Sequence, residues 1–441
     1  MPLRALLAAL LFTVLSVQAS GQEVLTLDRA VHDTLAHNRT LAAARAGTDE
    51  ADARVAVTRS RFFPRASIVE SWQRGDQPVF VFSSLLSARR FAAPNFAIDA
   101  LNQPNPIGFF HGALTIEQMV FDGGRTRAEV SAAASGQVIA QANLDEAAAA
   151  LVLRVTQTYG RLLVAESGQR TAAASIAAAE DDIARARRRR DAGTVTEADV
   201  LSLAVHLADV RQRAIQTTSD AAILRAEMNQ LMGTPVDGEF AVQEPPAVND
   251  TAPAPWSQLV AEAEAARPEL RRTSAAIDAA DAGRRQTRAA WMPQLAAQAG
   301  YQLDGTSVAD RTSAWVIGGE ARWSFSTGGA EIASAHASAA ALARARAEHD
   351  DARAAVQVEL LTALRRLESA HARQTVAATA VDQARESQRI IRDRYDAGMA
   401  PVQDVLRAST AVLSAEAQRI SAVVERIEAD AALQRALGRN P

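Results

Sequence analysis

Two hydrophobic periods alternate along this chain. Apolar residues recur every three or four positions, the helical spacing, over Leu25–Phe62, Arg125–Arg190, Glu197–Met232 and Ser257–Met292, and again after Gly329. Between these stretches the pattern shortens to an aromatic-rich alternation, at Arg65–Gly75 and Gly112–Asp122, then at Gln294–Gly305 and Ser313–Thr327. Each alternating stretch is long enough for a strand of about ten residues and ends in turn residues, so each pair reads as one hairpin. Pro64 and Pro293 mark where helix gives way to strand, because a residue before proline is pushed out of the helical region. Once helix resumes at Arg125, it would extend roughly 100 Å before the turn at Asp191-Ala192-Gly193. On the last helix Leu406, Thr410, Leu413, Ala417, Ile420, Val424, Ile427 and Ala431 alternate in spacings of four and three, a coiled-coil seam whose alanines allow close approach.

The whole pattern occurs twice. A shift of 205 lays Arg190–Leu201 (RDAGTVTEADVL) on Tyr395–Leu406 (YDAGMAPVQDVL), since 398 − 193 = 205. It also takes Gly123-Gly124 to Gly328-Gly329 and Gly233 to Gly438. Matches in one register over this distance make the chain two copies of one long unit. Pro64 and Pro293 are related by a second shift, 293 − 64 = 229, so the first copy holds 229 − 205 = 24 extra residues between its proline and its glycine pair. These fall within Gln77–His111, which is oddly apolar (Val79 to Phe82, Leu85-Leu86, Phe91, Phe96) and needs cover, either across the end of the sheet or against lipid.

The organisation predicted is a signal peptide at 1–19, a first repeat at 20–233, a Pro-rich surface linker at 234–255 and a second repeat at 256–441. Val17-Gln18-Ala19 supplies the small-x-small cleavage site, and the apolar run before it is shorter than the roughly 20 residues a spanning helix needs. There is no Cys, which excludes disulfides, thiolate metal sites and a lipid-bearing cysteine after the signal. The net charge of −4, with every positive charge an Arg, argues against nucleic acid as a partner. Aromatic residues gather in or beside the hairpins (Phe62, Phe63, Trp72, Phe109, Phe110, Phe121, Trp291, Tyr301, Trp315, Trp323, Phe325), as a membrane barrel collects them at its two interfaces.

Two hairpins make four strands, and four strands in lipid would leave two open edges of unpaired backbone groups, each costing several kcal/mol. Closed rotational symmetry offers rings of eight, twelve or sixteen strands; eight are filled by their own side chains and larger rings leave a lumen. The trimer is the preferred assembly, and a periplasmic coiled-coil scaffold with small β caps and no pore is the rival.

The Pro-then-strand pairs at Pro64 and Pro293, Phe121–Gly124 with its weaker partner Phe325–Gly329, and the Gly-plus-Asp-Val-Leu turns at Gly193 and Gly398 together resemble the TolC-like outer-membrane efflux proteins, the exit ducts of bacterial tripartite pumps. The resemblance covers nearly all of the chain after the signal. It implies a mostly α fold, a homotrimer with a β-barrel in outer-membrane lipid continuous with a long α-helical tunnel, and a periplasmic adaptor and an inner-membrane pump as partners. It places Gly193 and Gly398 at the periplasmic tip and Asp404 at a family position whose carboxylates ring the tunnel constriction, where they favour cations. Arg407 stands where the family has a second gate Asp, and Ala400 where it has a tying Arg, so cation preference should be weaker here. Tyr395 and Asp199 match a pair that links neighbouring coiled coils in the shut tip; the plainer reading of Tyr395 is packing near a turn. The basic run Arg185 and Arg187–Arg190 reads as a solvated helix face, with contact to an adaptor as the alternative.

Catalysis finds no support. The seven His residues lack ligand spacing, with His32 and His37 five apart and facing away from each other on a helix. Asp122-Gly123-Gly124 lacks the glycine spacing of a phosphate loop. No cofactor or metal is expected.

Overall fold

The structure, a computed structural model, describes residues 24–246 and 254–439. The expected signal at 1–19 lies outside the described residues. In chain order come β1 (Val24–Leu25), α1 (Leu27–His37), α2 (Arg39–Arg59), β2 (Arg65–Gly75), the short helices α3 (Pro78–Ser87) and α4 (Ile98–Asn102), and β3 (Ile107–Phe121). Then follow α5 (Arg125–Asp191), α6 (Glu197–Met232), β4 (Ala241–Val242), α7 (Trp256–Ala266), α8 (Pro268–Ala289), β5 (Gln294–Gly305), β6 (Arg311–Arg322), α9 (Ala330–Asp396) and α10 (Val402–Ala436).

The four longer strands form one antiparallel sheet in the order β2-β3-β5-β6, so the hairpin of each copy stays intact and β3 joins β5 at the centre. β2 and β5 span the expected residues, whereas β3 starts at Ile107 rather than Gly112 and β6 covers 311–322 rather than 313–327. The run Ile107-Gly108-Phe109-Phe110 does not alternate cleanly, yet it pairs with Gly75 to Trp72 of β2. Cross-strand partners settle what local pattern could not.

The helix expected over Leu25–Phe62 is broken at Asn38, and its counterpart over Ser257–Met292 at Arg267. Asn38 accepts from the Thr40 amide at 2.8 Å, starting α2 as an N-cap. Arg267 precedes Pro268, which takes the first helical position of α8. α5 and α9 are each 67 residues long, and α5 packs along α6, α8, α2 and α10.

The core of the first copy gathers Val155, Tyr159, Leu162 and Leu163 of α5 with Leu224, Met228 and Leu231 of α6, Ile420 and Val424 of α10, and Leu25, Phe240 and Val242. Gly160 makes room for this: a Cβ there would lie 2.4 Å from a Val424 methyl. Within the linker expected over 234–255, Phe240 is buried and Ala241–Val242 pair in parallel with Val24–Leu25, so this part is tied to the core while most of its other described residues are exposed; 247–253 lie outside the described residues. The Tyr159 hydroxyl clasps both short strands, donating toward the carbonyls of Leu25 (2.9 Å) and Gln243 (2.7 Å) and accepting from the Gln243 amide. A second core joins Leu259, Leu270, Val356, Leu360, Leu433 and Leu437.

The seam expected on α10 is kept in part and shifted in part. Of the expected positions Ile420 and Val424 are buried, while Thr410 and Ala417 are exposed and the rest of the buried stripe runs through Val405, Ala408, Val412, Ala415, Ala422, Ala429, Leu433 and Ala436. An Ala-rich helix carries more than one small-residue stripe, and α10 packs against both α9 and α5. Leu413 and Ala417, together with Ile420 and Val424, line a groove between α5, α6 and α10.

Candidate functional site: a two-faced sheet and the helical tips

Register sorts the sheet's side chains into two unlike faces, since side chains directly opposite each other share a side. One row across the four strands reads Ile68, Leu114, Tyr301, Trp315; the next reads Ala66, Ile116, Ala299, Ile317. On the other face the rows read Ser71, His111, Asp304, Thr312 and Arg65, Glu117, Gln298, Gly318. The apolar face is bare: Ile68 is 82% exposed, Trp315 75% and Ile317 73%. A sheet that turns its apolar face outward and its polar face inward has the alternation of a transmembrane barrel wall. The aromatic residues mark two levels, with Trp72, Phe110, Tyr301 and Trp315 toward the loop end and Phe62, Phe63, Phe121, Trp291, Trp323 and Phe325 at the helix end. At the outer level Arg311 lies over the Phe110 ring, 5.5 Å from its centre, and grips Glu70 with two bonds of 2.7 and 3.0 Å. Gly112 keeps that path open, because a Cβ there would meet the Glu70 carboxylate at 2.7 Å.

The strand–helix junctions named by Pro64, Gly123, Gly124, Pro293, Gly328 and Gly329 all lie at the helix end of the sheet. Gly123 and Gly124 are both left-handed, whereas in the second copy Gly329 is and Gly328 is not. Gly123 is a close approach as well as a turn, since a Cβ would sit 2.6 Å from Met292 and 2.9 Å from the Ala289 carbonyl oxygen. Asp122 receives the amides of Gly124 (3.0 Å) and Thr126 (2.7 Å), which starts α5; in the second copy Ser326 Oγ accepts from the Gly328 amide (3.3 Å) and Glu331 from the Ser326 amide (3.0 Å), which ties the turn before α9.

At the far end the two tips are built alike. Gly193 and Gly398 adopt φ of 75° and 74°. Beside each, the same pair of bonds closes the helix: Gly193 N to Arg190 O and Thr194 N to Arg189 O in one copy, Gly398 N to Tyr395 O and Met399 N to Arg394 O in the other. The return helices then diverge at equivalent positions, 199 + 205 = 404. Asp199 is held in a capping box, its Oδ2 accepting from the Thr196 amide and hydroxyl, both at 2.9 Å. Asp404 follows Pro401, has no such cap, and stands 3.6 Å from Arg407, which is 83% exposed.

Tyr395 and Asp199 approach each other without a hydrogen bond between them. The Tyr395 hydroxyl is buried and meets no partner among the described residues, while its ring lies under the Arg189 guanidinium, 4.9 Å from its centre. Burial pushes the Tyr395 pKa up; Arg189 pulls it down and the Asp199 carboxylate adds to the rise. Arg189 also donates to the Tyr395 carbonyl at 3.1 Å and faces Asp396 at 3.8 Å, and Arg392 reaches Asp182 at 3.3 Å, so charged pairs bind the first hairpin to the second. Within the basic run Arg185 pairs with Asp181 and Asp182, and Arg190 with Asp191 and Glu197, while Arg187 and Arg188 are exposed.

Comparison with known proteins agrees with this geometry. The family described as "Outer membrane efflux protein" matches residues 30–234 and 259–439. The chain belongs to the outer membrane efflux protein family. Outer membrane efflux protein BepC of Brucella suis is 25% identical over 432 residues, covering 97% of this chain and 88% of its own. The Campylobacter jejuni CmeC outer membrane channel superposes with a TM-score of 0.80 at 15% identity, over 94% of this chain and 86% of the other. The open state of the Neisseria gonorrhoeae MtrE outer membrane channel gives 0.74 at 19%, over 93% and 88%.

As a member of this family the efflux protein spans the outer membrane and extends into the periplasm. Among the described residues, no helix is long and apolar enough to cross a membrane. Three features of this efflux protein escaped sequence reasoning: the Tyr159 clasp, the Asn38 and Arg267 bends, and the Glu70–Arg311 grip. A Tyr isolated from the hairpin aromatics, and an Asn or Pro inside a helical pattern, were the available signals for the first two. Nothing local joins Glu70 to Arg311.

Proposed function

We propose that three copies of this chain close into a twelve-stranded barrel whose lumen continues into a helical tunnel, forming a passive exit duct. The observation that carries this reading is the sheet with one bare apolar face, one polar face and two open edges, β2 and β6. A scaffold without a pore would leave those apolar rows in water and both edges unpaired. A helix of 67 residues, roughly 100 Å long, reaches deep into the periplasm from the barrel. The duct performs no chemistry; its driving force comes from an inner-membrane pump joined through a periplasmic adaptor, which supports a role in a tripartite efflux or type I secretion system. The tip bearing Gly193 and Gly398 is where the tunnel narrows, with Asp404 and Arg407 at the constriction and Tyr395 with Asp199 as the gate pair. The Asp199 oxygen left free by Thr196 is the acceptor the Tyr395 hydroxyl lacks. Mass measured in mild detergent tests the assembly: three protomers that heat dissociates support it, and a stable monomer that keeps its strand signal overturns it.

A further inference from the structure

The extra residues of the first copy lie between β2 and β3, at the end of the sheet away from the helices. They are folded, with Phe82, Phe91 and Phe96 packed edge to face at 4.7 and 4.9 Å between centres. What fixes their place is the face of the sheet they touch. Phe80 of α3 packs edge-on against Phe109, 6.3 Å between centres, and the Thr312 hydroxyl donates to the Ser87 carbonyl at 3.0 Å. Phe109 and Thr312 point to the same side as His111 and Asp304, the polar side, where Asp304 is 4% exposed and bonded to His111 at 2.7 Å. Two arginines pin the end of α3 to the opposite hairpin: Arg89 donates to the Ser313 carbonyl at 3.1 Å, and Arg90 holds Thr306 and stands 3.3 Å from Asp310. Had the segment served as a lipid anchor, its contacts would fall on the Ile68 and Trp315 rows instead.

We propose that the segment 78–106 is a lid held against the luminal wall, narrowing the outer mouth of the barrel and setting the size of solute that passes there. This rests on the reading of the sheet as a barrel wall with its polar face inward. Loops folded into a barrel restrict its lumen in this way, and three symmetric copies would crowd one mouth.

The absence of native cysteine makes a direct test possible. Gln298→Cys places a thiol on the polar face toward the helical end, and Ile317→Cys places one on the apolar face. Maleimide polymers of graded mass are added from outside to reconstituted protein. With the lid in place, Gln298→Cys should react with small reagents and exclude larger ones. Replacing 78–106 by the five-residue turn of the second hairpin (Thr306–Asp310) should raise the mass cut-off about twofold or more, and conductance with it. The double variant Arg89→Ala, Arg90→Ala keeps every lid residue but releases the pins, and should move the cut-off the same way by less. An unchanged cut-off in both variants overturns the lid. If Ile317→Cys labels from water as readily as Gln298→Cys, the barrel reading itself fails and the lid falls with it.

Discussion

At the bend between α1 and α2, Asn38 caps the second helix and sends its side-chain amide to the Leu231 carbonyl, 2.9 Å away near the end of α6. At the equivalent bend between α7 and α8 (38 + 229 = 267), Arg267 reaches the Arg435 carbonyl near the end of α10 at 3.0 Å. Both copies thus fasten a helix bend to the close of the returning helix, one with a neutral amide and one with a charge that is 3% exposed. The charge needs company: Glu269 contacts it at 2.9 Å and Glu359 at 2.5 Å, and Arg435 stands beside both carboxylates. A duplicated architecture therefore keeps the place of a tie and not its chemistry. The glycines after the return helices sharpen the point, since a Cβ on Gly233 would lie 2.7 Å from the His37 carbonyl oxygen and one on Gly438 2.8 Å from the Ala266 carbonyl carbon.

The comparison breaks first at Arg267. Arg267→Met strips a buried cation from two carboxylates and should cost about 3–5 kcal/mol, whereas Asn38→Ala should cost about 1–2. Denaturant midpoints of the two variants read the difference; equal losses would mean that the ionic cluster adds nothing over the amide. Next come the glycines: Gly233→Ala and Gly438→Ala each force a side chain into a left-handed residue and a close contact, and each should cost about 2 kcal/mol. Thermal unfolding should show the two losses to be alike, because here the copies do match.

At the tip the copies should part in kind. Asp199→Asn weakens a capping box and should lower stability by about 1 kcal/mol, and by loosening the proposed gate pair should raise open probability. Asp404→Asn, with no cap to lose, should leave stability unchanged and reduce cation preference in planar bilayers. A selectivity change from Asp199→Asn and none from Asp404→Asn would reverse the assignment. The smallest effect is expected at Glu428, which faces the groove beside α5. Its pKa is raised by burial and by Glu425, against the pull of Arg161. A raised carboxyl pKa favours the folded state while protonated and loses that advantage as pH rises through the folded value. Glu428→Gln should therefore gain up to about 0.5 kcal/mol near pH 8, a gain that vanishes below the ordinary carboxylate pKa.

How much of this was legible beforehand follows from which forces are local. Proline, left-handed glycine and period-two aromatics act within a few residues, so the junctions, both tips and the strand pairs could be read directly, with β2, β5 and α6 in their full extent. The bends at Asn38 and Arg267 were missed because apolar periodicity runs through them; the partners that fix them lie 193 and 168 residues away. The α10 seam was right at Ile420 and Val424 and misplaced elsewhere, because small residues occupy neighbouring stripes and only the flanking helices choose between them. Nor could sequence tell that Thr196 already occupies Asp199, since Thr196-Glu197-Ala198-Asp199 fits a cap as well as a gate.

The equal spans of α5 and α9, each 67 residues, act as a matched pair of rulers. Because both are clamped at the junction by a left-handed glycine and closed at the tip by the same turn, neither can change length alone without tilting the rim. Four residues inserted into α5 only would displace its tip by about 6 Å. The length difference between the copies falls at the outer loop, where neither helix has to match the other.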